Sequence, residues 1–128
     1  MNGAMAAKPN LAMRLRLNGP HGIVMGPGRA DLLALIAETG SIAAAGRRMG
    51  MSYKRAWSLV ESLNASFTAP LVETAKGGAA HGGARLTALG EELLTAYRTL
   101  ESAAQTAGAA ALERFDSALA VPPAPNPR

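Results

Sequence analysis

The sequence predicts an α+β domain with two short β-hairpins, three helices between them and a long helix at the C-terminal end. Three observations support this prediction. Apolar and polar residues alternate near each hairpin, apolar residues recur at helical spacing between the hairpins, and serine or threonine precedes three of the helical segments. The chain has 128 residues, 48% of them hydrophobic, which is enough for one domain with a modest core.

The composition argues against several kinds of chemistry. The chain has no cysteine, so disulfides, thiolate metal sites and cysteine nucleophiles are excluded. His21 and His81 lie in separate predicted hairpins, without a carboxylate or serine at a spacing typical of a metal cluster or a triad. No apolar run approaches the roughly 20 residues needed to cross a bilayer. We therefore expect a cytoplasmic protein that is no enzyme, with no cofactor, no metal and no membrane partner.

The N-terminal hairpin follows a segment without periodicity. Residues 1–12 are expected to be disordered, as is the tail at 120–128, whose last eight residues include four prolines. Residues 13–18 alternate apolar and basic side chains, Gly19-Pro20 turns the chain, and residues 21–25 form a second extended run.

Two helices are predicted between this hairpin and Gly50. The first begins near Arg29 or Ala30, has Asp31 in its first turn and ends at Gly40. Ser41 is a natural N-cap for the second helix, which is short and rich in small residues.

The third helix is predicted over residues 52–64, with Ser52 as its N-cap. Its apolar stripe consists of Tyr53, Ala56, Trp57, Val60 and Leu63. Lys54 and Arg55 point away from this stripe, so basic groups gather at the N-terminal end. Trp57 is expected at the centre of the core, and Tyr53 at the edge of the stripe.

A second hairpin and a long helix complete the chain. Residues 71–74 and 84–86 read as strands, and the connecting loop at 75–83 contains four glycines. Thr87 is a natural N-cap for a helix over 87–119, which at about 1.5 Å per residue would span roughly 48 Å. Such a helix is longer than a domain of this size is wide, so its apolar stripe is predicted to pair two subunits.

The charges are unevenly distributed along the chain. Residues 13–85 contain nine basic and four acidic side chains, a net charge of +5, whereas residues 86–128 contain three basic and five acidic ones, a net charge of −2. A positive field over the first two thirds of the chain is expected if this part faces a polyanion.

The second and third helices, joined by Gly50-Met51, have the arrangement of a helix-turn-helix motif. The N-terminal turn of the third helix would enter the DNA major groove, where Arg or Lys can reach guanine O6 and N7. The glycine-rich loop would act as a wing on the flanking backbone or minor groove. The predicted fold is therefore a winged helix-turn-helix over 13–86, with an N-terminal β-hairpin and a long C-terminal dimerisation helix over 87–119.

A family resemblance accompanies these elements. From about Leu15 to Tyr97 the chain resembles the N-terminal DNA-binding domain of the molybdate-responsive ModE regulators, itself similar to the winged helix of LysR-type regulators. The most specific match is Ser52-Tyr53-Lys54-Arg55-Ala56-Trp57, followed by the double glycines of the wing and Leu86-Thr87. Regulators of this family that sense molybdate carry a separate oxyanion-binding module, for which these 128 residues leave no room. We therefore expect no molybdate site here, and a DNA affinity that molybdate leaves unchanged.

These inferences together predict a dimeric transcriptional regulator that binds double-stranded, palindromic DNA, with any signal supplied by a separate sensor or effector protein. The residues expected to contact DNA are Ser41, Ser52, Tyr53, Lys54, Arg55, Lys76, His81 and Arg85. Two alternatives remain open at this point. One is a winged-helix adaptor for protein interactions, and the other is a small oxyanion-binding protein.

Overall fold

The computed structural model describes residues 11–75 and 83–120, and it confirms the predicted α+β class. In chain order its elements are β1 (Leu17–Gly19), β2 (Gly22–Met25), α1 (Pro27–Thr39), α2 (Ile42–Arg48), α3 (Tyr53–Ser66), β3 (Val72–Thr74), β4 (Ala84–Leu86), α4 (Ala88–Ala107) and α5 (Ala109–Ala118). The chain divides into two compact units. One runs from Arg14 to Glu101, and the other contains residues 11–13 and 102–120 of the described chain.

The N-terminal hairpin is confirmed, with a shorter first strand than predicted. β1 and β2 pair antiparallel, with Leu17 opposite Met25 and Gly19 opposite Gly22. The ladder begins at Leu17, so the alternating residues before it are not part of it, and an irregularity in the pairing lies between Leu17 and Asn18. Gly22 has a φ of 128°, which favours glycine in the tight turn.

Helix α1 begins at Pro27, earlier than the predicted start at Arg29 or Ala30. Proline suits the first helical position because its φ is already helical and it lacks an N–H that would have no helical partner. The earlier start also means that Asp31 is not in the first turn. The predicted end is confirmed, because Gly40 has a φ of 73° and its N–H donates to the Ile36 carbonyl at 2.8 Å.

The core of the 14–101 unit lies among helices α1 to α4 and the β3–β4 hairpin. Its buried hydrophobic residues are Met25, Ala30, Leu32, Leu33, Ile36, Ile42, Ala45, Ala56, Val60, Leu63, Leu71, Val72, Ala84, Leu86 and Tyr97. Trp57 is only half-buried, so its predicted place at the centre of the core is wrong. Ala56 packs closely on α2, which leaves Trp57 at the rim, and Tyr97 is the largest fully buried side chain.

Helix α4 is tied to the segment before β1 and to α1. The buried Tyr97 hydroxyl donates to the Leu15 carbonyl at 2.7 Å, and burial raises the pKa of Tyr97. Arg98 pairs with Asp31 at 2.9 Å and with Glu101 at 3.0 Å. The contacts of Tyr97 with Leu15 and of Arg98 with Asp31 fix the helix against the N-terminal half of its unit.

The start of α4 is also held by the strand segment before it. The Thr87 hydroxyl accepts from the Gly90 N–H at 2.9 Å, which confirms the predicted N-cap, and donates to the Pro70 carbonyl at 2.8 Å. A Cβ on Gly90 would overlap the carbonyl oxygen of Leu71. Glycine at this position therefore permits the close approach of α4 to the backbone before β3.

The single helix predicted over 87–119 is wrong, because the structure has two helices with Gly108 between them. Gly108 has φ and ψ of −95° and 4°, and glycine is among the poorest helix formers. No residue of α5 is buried, and Phe115 is 69% exposed. None of the helices in the described parts of the chain is long and apolar enough to cross a membrane.

Candidate nucleic-acid interface

Helices α2 and α3 are joined by a tight turn that confirms the predicted helix-turn-helix arrangement. Gly50 in the turn has a φ of 72°, a left-handed conformation that favours glycine. The Met51 N–H then donates to the Gly46 carbonyl at 3.0 Å. A Cβ on Gly46 would lie 2.9 Å from the Cβ of Ala56, so two small residues allow the helices to cross closely.

Both predicted serine N-caps are present. The Ser41 hydroxyl accepts from the Ala44 N–H at 3.0 Å, and the Ser52 hydroxyl accepts from the Arg55 N–H at 3.1 Å. Ser52 is exposed, whereas Ser41 is half-buried and its own N–H donates to the Thr39 hydroxyl. Of the two caps, Ser52 is therefore the more accessible to a ligand.

The first turn of α3 brings three of the predicted contact residues to one exposed surface. Tyr53 is 59% exposed and stacks edge to face on Trp57, with ring centroids 6.2 Å apart. Lys54 and Arg55 are exposed, and neither pairs with a carboxylate within residues 11–75 and 83–120. Two unpaired cations and the positive end of a helix make this turn suited to a polyanion.

The remaining contact residues were predicted at the second hairpin. The Ala84 N–H donates to the Gly40 carbonyl at 2.9 Å, which anchors the hairpin to the end of α1. Arg85 is highly exposed, and its Nε donates to Glu73 at 3.0 Å. Lys76 and His81 lie outside the described residues, so their contacts stay predictions.

Arg29 is a basic residue near this surface whose place there is not evident from the sequence pattern. It is half-buried, and its Nη2 donates to the Ser62 hydroxyl at 3.1 Å. Burial, and next the positive charge of Arg55, lower the pKa of Arg29. No local pattern indicates this proximity, because the two arginines come together only when α1 packs against α3.

Asn64 is a second residue whose role the sequence did not reveal. Its Oδ1 accepts from the N–H groups of Leu71 and Val72 at 2.8 and 3.0 Å, and its Nδ2 donates to the Val72 carbonyl at 3.0 Å. One side chain thus fixes the end of α3 to the start of β3, and with it the position of the hairpin that follows.

Within the described parts of the chain, no three His, Asp or Glu side chains are grouped as they would be to hold a metal ion. The arrangement of helices, caps and hairpin is typical of a surface that can contact DNA.

Comparisons with known proteins agree with this architecture. Residues 29–91 match the family described as bacterial regulatory helix-turn-helix protein, lysR family. The chain is 46% identical over 103 residues to the molybdenum-pterin-binding protein MopB of Rhodobacter capsulatus, a match covering 80% of this chain and 37% of that protein. It is 41% identical over 81 residues to the DNA-binding transcriptional dual regulator ModE of Escherichia coli (strain K12), covering 63% of this chain and 31% of that protein.

The ModE transcriptional regulator of Yersinia pestis is similar as well, with 42% identity over 81 residues. The chain spans about a third of the length of these curated relatives.

The close helix crossing, the capped α3 and the β3–β4 hairpin after it define a winged helix-turn-helix domain. Residues 29–91 are similar to the helix-turn-helix domain of bacterial lysR-type regulators. The predicted resemblance to the N-terminal domain of ModE-type regulators is confirmed.

Proposed function

We propose that this chain binds double-stranded DNA sequence-specifically and regulates transcription in the cytoplasm, with α3 in the major groove. The observation that carries the proposal is the first turn of α3, where Tyr53, Lys54 and Arg55 are exposed at a capped helix end. A relative named as a DNA-binding transcriptional dual regulator supports it.

The exposed groups suit different parts of the DNA. The planar guanidinium of Arg55 can donate to guanine O6 and N7 together, so Arg55 reads a base. Ser41 and Ser52 lie near phosphates, and the wing residues Lys76 and His81 contact the flanking backbone. Arg85 contacts the same phosphate backbone through its terminal nitrogens, because only its Nε is hydrogen-bonded to Glu73.

Selection from random duplexes, followed by affinity measurements on the enriched site, tests the proposal. Arg55→Ala should weaken binding by about 1–3 kcal/mol and relax the preference at one base pair. Arg114→Ala is the matched control, because it removes the same charge from an exposed position on α5. Light scattering should give this variant the same mass as the parent chain, which separates an effect on DNA contacts from an effect on pairing. Enrichment of no sequence would contradict DNA reading and favour a protein-interaction adaptor. An equal loss on all sequences would assign Arg55 to the backbone.

The wing is tested separately by Lys76→Ala. This change should weaken binding to specific and random DNA by similar factors. The slope of log K against log salt should decrease by about one unit, as expected for one lost phosphate contact. A changed base preference would instead assign Lys76 to base reading.

We also propose that two copies pair through the C-terminal helices and bind a palindromic site, with any signal arriving from a separate sensor or effector protein. Large apolar side chains are exposed there: Leu100 is 45%, Phe115 69% and Leu119 41% exposed. An isologous dimer would place two recognition helices on successive turns of DNA. Light scattering at micromolar concentration should give twice the chain mass of 13.1 kDa, and the mass of one chain would exclude the dimer.

A further inference from the structure

A second basic feature of the 14–101 unit lies beside the first turn of α3. A cavity of about 390 Å³ opens between the N-terminal hairpin, the start of α1 and the start of α3. We call it the arginine pocket; the arginines that line it are Arg14, Arg16, Arg29 and Arg55. None of the described residues that line it is acidic. Of these four arginines, only Arg55 is part of the interface described above.

Arg29, which lines this pocket, has one buried donor without a partner among the described residues. Its Nη2 donates to Ser62, but its Nε is buried and has no hydrogen-bond partner among the described residues. A buried donor without an acceptor is unfavourable, and the nearby charge of Arg55 adds repulsion. An anion in the pocket would offset the repulsion between these two guanidinium groups.

The start of α1 adds further donors to the same place. Its N-cap is Gly26, which has no side chain to cap the helix, so the first-turn N–H groups of Gly28 and Arg29 remain available. Arg16 lies over this helix end, since its Cγ is 3.7 Å from the position that a Cβ on Gly26 would take. The helix end and the arginines thus favour the same sign of charge.

The pocket also has an apolar side, formed by Ile23, Met51 and Leu59. Its volume falls in the range of small-molecule sites and exceeds that of a bare oxyanion. A small organic molecule that carries an anionic group matches such a lining better than a free inorganic ion does.

We propose that the arginine pocket binds a phosphate ester, with its phosphoryl group among the arginines and its sugar against the apolar side. A DNA strand and a free phosphorylated sugar present this same chemistry. In the first case the proposal rests on the proposed function and adds the N-terminal hairpin to the DNA interface. In either case the arginines of this chain form the binding site.

The pocket can be probed on the whole chain with ribose 5-phosphate, followed by NMR of the arginine Nε–H groups and of the Gly28 and Arg29 amides. Chloride at equal ionic strength provides the reference. We expect saturable chemical-shift changes confined to the pocket.

Arg29→Gln and Arg16→Gln should weaken binding roughly ten-fold, as for loss of a charge-assisted hydrogen bond. Arg114→Gln on α5 is the matched control and should bind as the unmodified chain does. Arg16 is exposed, so Arg16→Gln keeps the test open if Arg29→Gln does not fold.

Duplex DNA separates the two sources of the ester. If a DNA strand is the ligand, Arg16→Gln lowers affinity for all sequences and reduces the salt slope by about one unit. If a free phosphorylated molecule is the ligand, Arg16→Gln leaves the affinity for duplex DNA unchanged and still weakens the binding of ribose 5-phosphate. Either outcome supports the pocket.

The proposal is overturned if ribose 5-phosphate gives no saturable shifts in the pocket and Arg16→Gln binds duplexes as Arg114→Gln does. A chain that binds no DNA would contradict the proposed function alone, because the ribose 5-phosphate measurement would still test the pocket.

Discussion

Helices α3 and α5 have similar amphipathic sequences but differ in what covers their apolar faces. In α3 three members of the stripe are buried, with Ala56 and Leu63 at 0% and Val60 at 1% exposure, whereas α5 has no buried residue. All the core residues of the described chain lie between Met25 and Tyr97. Periodicity therefore predicts that a helix has an apolar face, but only the neighbouring elements determine whether the chain itself covers that face.

The largest effect that tests this comparison is expected at Leu63. Leu63→Ala removes a fully buried side chain from α3 and should lower the free energy of unfolding by about 2–5 kcal/mol. Urea denaturation followed by circular dichroism measures the change. A loss below about 1 kcal/mol would mean that the α3 stripe is not part of a tightly packed core.

The next effect is expected where α4 meets the segment before β3. Gly90→Ala would place a Cβ against the Leu71 carbonyl and should cost about 1–3 kcal/mol, despite the better helix propensity of alanine. Gly28→Ala is the matched control in α1, where a Cβ meets no atom within 4 Å. The control should leave stability unchanged or raise it by up to about 1 kcal/mol. Equal thermal shifts for the two variants would argue against the close approach.

Tyr97 should give a smaller effect with a distinctive pH dependence. Tyr97→Phe removes the hydrogen bond to Leu15 and should cost about 1 kcal/mol at neutral pH. The pKa of Tyr97 is raised in the folded state, so its stabilising effect is complete below the unfolded value of about 10. That effect is lost as the pH rises through the raised pKa.

Urea denaturation between neutral and alkaline pH should therefore show a decline in stability in the parent chain that is reduced in Tyr97→Phe. Tyr53→Phe is the control, because Tyr53 is 59% exposed, and it should keep the decline. The same alkaline decline in both variants would mean that Tyr97 does not cause it.

The smallest effect on unfolding is expected from α5. Phe115→Ser changes a side chain that is 69% exposed and should alter the unfolding free energy of the dilute chain by less than about 0.5 kcal/mol. Sedimentation equilibrium should at the same time show weaker self-association. A loss as large as that of Leu63→Ala would show that α5 belongs to a core, and the contrast between the two helices would fail.

The sequence predicted the features that depend on neighbouring residues. Ser41 and Ser52 cap helices through N–H groups three residues further on, and Gly40 ends α1 by its own backbone conformation. The hairpins, the α2–α3 turn and the basic first turn of α3 follow from the same short-range rules. These features define the fold and the main part of the candidate interface.

The features that the sequence did not predict depend on contacts between distant residues or on small balances of energy. The proximity of Arg29 to Arg55 exists only after α1 and α3 pack. Trp57 lies at the rim because the Gly46–Ala56 crossing sets the rotation of α3, which apolar spacing does not encode. The break at Gly108 reflects one glycine in a segment otherwise favourable to helix, where a modest propensity difference decides the outcome.

The three hydrogen bonds of Asn64 determine how long the linker at residues 67–70 must be. The linker joins α3 to the strand segment, and one amide fixes the spacing between its two ends. Asp at this position would lack the donor for the Val72 carbonyl, and an apolar residue would satisfy none of the three groups. The exposed side chains of Thr68 and Ala69 can therefore vary, whereas a change in the length of the linker by even one residue would move β3, and the hairpin it begins, away from α3.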